Sequence, residues 1–130
     1  MLWECPQRSK EIRFHKLWSN HNERWRLPET IVKFDYLYLD GFDYYHEYHS
    51  DKRKEKYKEI LQTEITNENS WKSHLDMVKE VYKKGNDYSL ICIDDVFHAN
   101  KGKGCHAVPF LEENRWKGLE HKYNAVIFSL

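Results

Sequence analysis

The chain has 130 residues, 40% hydrophobic and 32% charged, the composition of one globular domain rather than of a disordered segment. Lys plus Arg number 21 and Asp plus Glu number 21, so the formal net charge is zero and a dedicated nucleic-acid binder, with its basic surplus, is not expected. No apolar run approaches the roughly 18 residues of a membrane span; residues 1–10 hold no apolar signal core, and three cysteines without metal-type spacing suggest reduced thiols in a cytoplasmic setting.

Residues 11–18 alternate loosely around Ile12 and Phe14 and read as a strand. Ser19, Asn20, His21 and Asn22 are turn formers, and residues 23–27 read as a short return strand ended by Pro28. Residues 31–39 give a better strand. Asp40-Gly41 follows, and then the aromatic run 42–48. An Asp-Gly between two such runs is a strong hairpin signal, and a two-residue turn would set Leu39 against Phe42, Leu37 against Tyr44 and Tyr36 against Tyr45.

Ser50 or Asp51 is placed to cap a helix reaching about residue 65, with Tyr57, Ile60, Leu61 and Ile65 as its apolar stripe. Residues 66–69 break the pattern. Ser70 then caps a second helix whose stripe is Trp71, His74, Leu75, Val78, Val81 and Tyr82, stopped by Lys83, Lys84 and Gly85. The short break predicts an antiparallel helix pair.

Residues 88–93 are apolar on both alternating faces, the pattern of a central strand, and Asp94-Asp95 ends it. Residues 100–104 make a Gly-Lys turn. Residues 105–111 read as a second strand with Pro109 at an edge, residues 112–118 as a loop, and residues 122–130 as a last strand. The expected class is α+β, a mainly antiparallel sheet with two consecutive amphipathic helices packed on one face.

Four groups of side chains invite a functional reading. Asp94, Asp95, His98 and His106 place carboxylates at the end of a central strand with imidazoles across a turn, a set able to hold a divalent metal or exchange protons. On a continuing strand the two aspartates face opposite ways, so one site needs a bend between them. His46 and His49 fall on opposite faces of the expected hairpin, which defeats chelation there. Lys101 and Lys103 in the Gly-rich turn suit a phosphate, although the P-loop order of residues is missing. The hairpin itself carries Tyr36, Tyr38, Asp43, Tyr44, Tyr45 and Glu47, an acidic aromatic surface next to the basic helix residues Lys52, Lys54, Lys56 and Lys58.

The stretch Cys105-His106-Ala107-Val108 resembles the histidine-bearing strand of papain-like cysteine peptidases, which implies a nucleophilic thiol at a helix amino terminus earlier in the chain. Cys5 is followed by Pro6 and a polar stretch, and Cys92 lies mid-strand, so the family is not carried over. The leading expectation is a small cytoplasmic protein-binding module of the inhibitor, immunity or adaptor kind. It uses the tyrosine-rich hairpin against a protein partner with a basic or mixed surface, and no cofactor is implied. The alternatives are a metal-dependent hydrolase or nuclease on Asp94, Asp95, His98 and His106, and a phosphate or nucleic-acid binder on Lys101 and Lys103.

Overall fold

A computed structural model describes residues 19–21, 24–26, 32–43, 49–97 and 101–130. In chain order the elements are β1 (Ser19–His21), β2 (Arg24–Arg26), β3 (Tyr36–Leu39), α1 (Asp51–Leu61), α2 (Asn67–Val81), β4 (Leu90–Ile93), β5 (Val96–Phe97), β6 (Lys101–Gly102), α3 (Ala107–Glu113), β7 (Lys117–Lys122) and β8 (Ala125–Ser129). The main sheet has the order β3-β4-β8-β7, with β1-β2 and β5-β6 as separate antiparallel pairs. β3 runs parallel to β4, and the other two pairings are antiparallel, so the α+β class with a mainly antiparallel sheet holds.

Residue order explains why β4 is central. Its apolar run can be covered on both sides, and Ile91, Cys92 and Ile93 are all buried. Register places Leu39, Ile93 and Val126 in one row across the sheet and Leu37, Ile91 and Phe128 in the next. Against this face pack Met77, Val78 and Val81 of α2, and Ala107, Val108 and Leu111 of α3. Trp116 closes the core with its indole N–H donating to the Tyr82 carbonyl at 3.2 Å and its ring stacked on Phe34.

Several expectations are corrected. The strand expected at residues 105–111 is a turn followed by α3. Pro109 is tolerated there because it sits in the first helical turn, where a backbone N–H has no intrahelical partner to lose. That helix conformation also removes the strand on which the peptidase resemblance rested. The last strand begins only at Ala125; the residues before it form β7, joined to β8 through Tyr123 and Asn124 at φ +53° and +60°. The two positive φ values are those of a primed two-residue turn, whose twist suits a hairpin.

At Asp40-Gly41 the expected tight turn is absent, since neither residue has the positive φ such a turn needs. β3 pairs with β4 instead, and Phe42 is buried. Residues 44–48, the rest of the expected hairpin, lie outside the described residues, as do the expected strand at 11–18 and His98.

The helices differ from expectation too. α1 stops at Leu61, where Gln62 takes the left-handed conformation, and it buries no residue; Ile60 is 72% exposed. A run so rich in lysine gains little from docking on a core. α2 starts earlier than Ser70, at the Thr66 cap, whose hydroxyl accepts the Asn69 N–H at 3.1 Å. Its buried face is Ser70, Ser73, His74, Met77, Val78 and Val81, a stripe shifted toward small and polar residues.

Candidate functional site

Parallel pairing of β3 and β4 brings two similar sequence endings together. Tyr36-Leu-Tyr-Leu-Asp40 and Leu90-Ile-Cys-Ile-Asp-Asp95 both close an apolar strand on aspartate. Leu39 is in register with Ile93, so Asp40 and Asp94 leave the sheet side by side at its carboxyl end. The Asp94 N–H still donates to the Leu39 carbonyl at 3.0 Å. Asp95 then takes φ +51°, a left-handed conformation that aspartate accepts more readily than most residues. This is the bend that lets consecutive aspartates serve one site.

The chain runs on through β5 and returns in β6. Gly102, at φ +81°, lies so close to Asp95 that a Cβ there would collide with the Asp95 carbonyl oxygen. The Lys103 N–H donates to that same carbonyl at 2.9 Å. Lys103 Nζ is thereby delivered between two carboxylates, donating to Asp40 Oδ1 and lying 2.9 Å from Asp95 Oδ2. The lysine side chain is 3% exposed, whereas those of Asp40 and Asp95 are 43% and 45% exposed. Burial by itself would lower the pKa of the ammonium; its bonds to Asp40 and Asp95 outweigh that and hold it above the ordinary lysine value.

Asp94 is fixed from two sides. Its Oδ2 accepts the Tyr38 hydroxyl, and its Oδ1 accepts the Asp95 N–H at 2.8 Å. The bond to Asp94, with burial adding to it, pushes the Tyr38 phenol far above its ordinary pKa. Two carboxylates thus share one buried ammonium, with Asp94 next to Asp95 in sequence and held by Tyr38, at an edge where Asp40 and Asp95 are nearly half exposed.

Behind this edge stands His74, fully buried on α2. Its Nδ1 donates to the Ser70 carbonyl at 2.8 Å, one turn back along the helix. Nε2, on the opposite side of the ring, has no partner among the described residues. Burial, aided by the Lys103 charge and opposed by the bond to the Ser70 carbonyl and by Asp95, lowers the imidazole pKa to about 4, so the ring is neutral and Nε2 is an acceptor.

The other sequence candidates disperse. His106 is exposed, packs edge-on against Trp71 at 5.3 Å and stands at the start of α3. Lys103 is consumed by two carboxylates and cannot offer a phosphate the free charge expected of it; the Lys101 side chain lies outside the described residues. Among the expected partner-binding residues, Tyr38 is spent on Asp94. Asp43 pairs with Arg53 and lies 3.7 Å from His49. Burial would raise the Asp43 pKa, but Arg53 overrides it and the net shift is downward. Tyr36 alone of the described set stays open, at 57% exposure; Tyr44, Tyr45 and Glu47 lie outside the described residues. Cys92 and Cys105 are free thiols, with burial raising the Cys92 pKa.

Asp40, Lys103 in its paired role, Tyr38 as an aspartate donor and His74 are the site residues that sequence reasoning missed. The signal available was the repeated ending of an apolar run on aspartate; it becomes informative only once the two runs are known to be parallel neighbours. Among the described residues no group of three or more His, Cys, Asp or Glu is placed to hold a metal ion, and no helix is long and apolar enough to cross a membrane. Comparison with family models, with curated proteins and with solved structures finds no match, so the site is read from its own chemistry.

Proposed function

We propose that the chain carries the cation site of a divalent-metal-dependent enzyme, acting by hydrolysis or group transfer at an oxygen of a small substrate. What supports this reading is that Asp40, Asp94 and Asp95 follow the carboxyl ends of two adjacent parallel strands, with the nearly half-exposed carboxylates of Asp40 and Asp95 meeting at Lys103. A magnesium-class ion needs only one or two protein carboxylates, the rest of its octahedron coming from water and substrate oxygens. Bound there, it would supply Lewis-acid polarisation of a substrate oxygen. The chain's own part is to supply oriented carboxylate oxygens and, at Asp95 or Asp40, an acceptor for the proton that oxygen loses.

Manganese and magnesium titration by calorimetry tests the reading. The wild-type chain is expected to take up one ion, and Asp40→Asn and Asp94→Asn are expected to weaken uptake at least tenfold while remaining folded. A wild-type chain that binds neither ion at millimolar concentration rules the reading out.

A second reading, binding of a protein partner along β3, draws on the exposure of Tyr36 at the sheet edge. The two separate cleanly: Tyr36→Ala would impair partner capture and leave cation uptake intact, while Asp40→Asn would do the reverse.

A further inference from the structure

The main sheet has two faces, and Leu39, Ile91, Ile93, Val126 and Phe128 turn theirs toward α2 and α3. The residues that alternate with them point the other way, since successive side chains of a strand take opposite faces. Cys92 belongs to this second face and, although buried, stands outside the core cluster. Tyr36 reaches the Cys92 thiol there, and Tyr38 bonds Asp94. Register lays the face out in rows. The first runs Tyr36, Leu90, Ser129, Lys117, and the second Tyr38, Cys92, Ile127, Glu120. In the third, Asp94 follows Ile93 on one side and Lys122 pairs with Ala125 on the other. Leu90 and Ile127 are only half-buried, and all of β7 is exposed.

We infer that this second face binds a second copy of the chain, the two sheets stacking with their strands roughly aligned. The inference rests on the partner reading of β3 and names that partner. What selects a second copy is that the two sides of the face complement each other. A two-fold axis parallel to the strands lays the β3 side of one copy over the β7 side of the other, with the same patch used twice. Tyr36 then meets Lys117 of the second copy, a ring beneath an ammonium. The Tyr38 row meets Glu120, and the Asp94 carboxylate comes to the side that carries Lys122. Between them Leu90 and Cys92 lie over Ser129 and Ile127. An axis across the strands would instead set Lys117 against Lys122, like charge against like. Aligned sheets pack in this way about 10 Å apart. Pairing edge to edge through β7 is disfavoured by its two lysines and by the irregularity between Gly118 and Glu120. Strands of four to six residues make a small face beside a standard interface, so the pair forms at high protein concentration.

Sedimentation equilibrium from micromolar to millimolar protein, with a reductant present to keep thiols from cross-linking, tests it. Wild type is expected to move from monomer toward dimer mass as concentration rises. The double variant Lys117→Glu, Lys122→Glu changes two exposed side chains, so it is expected to fold normally and to dimerise about tenfold more weakly or worse. Amide resonances followed on dilution are expected to shift at Leu90, Cys92, Ile127 and Ser129 and to stay fixed along α2. Wild type that remains monomeric at millimolar concentration overturns the inference, as does a dimer indifferent to the charge reversal or one whose dilution shifts avoid β4 and β8. The two failures are separable: a monomeric wild type from which Tyr36→Ala still removes capture of a different protein sinks the second copy and leaves the partner reading of β3 standing.

Discussion

His74 keeps a neutral imidazole in a place where protonation is expensive. In the unfolded chain the ring titrates near 6.5; in the fold its pKa is about 4, chiefly through burial. Below about pH 6.5 the unfolded state gains a proton that the folded state refuses, so stability drains as pH falls toward 4. Between pH 7 and pH 5 the loss is about 2 kcal/mol. Urea unfolding at the two pH values measures it, and His74→Phe is expected to reduce the difference substantially, whatever it does to absolute stability. An undiminished difference in the variant would assign the pH dependence to other groups. From sequence, His74 was legible as a member of the buried helix face. Its proximity to Asp95 and Lys103 was not, because that depends on how α2 lies over the ends of two strands far away in sequence.

The β5–β6 hairpin is the element on which the site depends most. Residues 100–104 are recognisable in the sequence as a turn, but composition does not reveal that the turn folds back on Asp95. Gly102→Ala places a methyl group against the Asp95 carbonyl at a positive φ. A cost of about 3 kcal/mol is expected, as a lowered thermal midpoint, together with loss of cation uptake. A variant of wild-type stability would show that the hairpin relaxes freely. Other elements show where local pattern is enough and where it is not. The central strand and α2 were legible because their apolar residues follow the period of the structure they form. α3 was misread because Val108 and Phe110 suit a strand by type, while the Val108 N–H finds the Gly104 carbonyl at 2.9 Å in a helical turn. Asp40-Gly41 was misread for the opposite reason: a strong turn dipeptide gave way to parallel pairing with a strand 54 residues later, as Tyr36 opposite Leu90 shows.

At the scale of the whole molecule the sheet is held by its two inner strands. β8 bonds β4 on one side and β7 on the other, and its Phe128 is fully buried in the row with Leu37 and Ile91. Phe128→Ala is expected to cost about 3–5 kcal/mol, read as a lower urea midpoint with an unchanged slope. A loss under 1 kcal/mol would mean that the core refills the space. The fold class was accessible from the sequence because strands and helices each carry their own period. The candidate site was only half accessible: Asp94 and Asp95 stood out as charges ending a buried run, whereas Asp40 and Lys103 join them through strand order, which no local pattern encodes.

Helix α1 fully buries no side chain and is moored along one side. Ser50 caps it, Arg53 ties it to Asp43, and the Tyr57 hydroxyl accepts the Asp43 N–H at 3.0 Å. Away from those contacts Lys56 and Glu59 face water. An epitope or a spectroscopic label grafted at those two positions has nothing beneath it to disturb, which makes this segment the handle by which the molecule can be immobilised or watched while the aspartate edge is left to work.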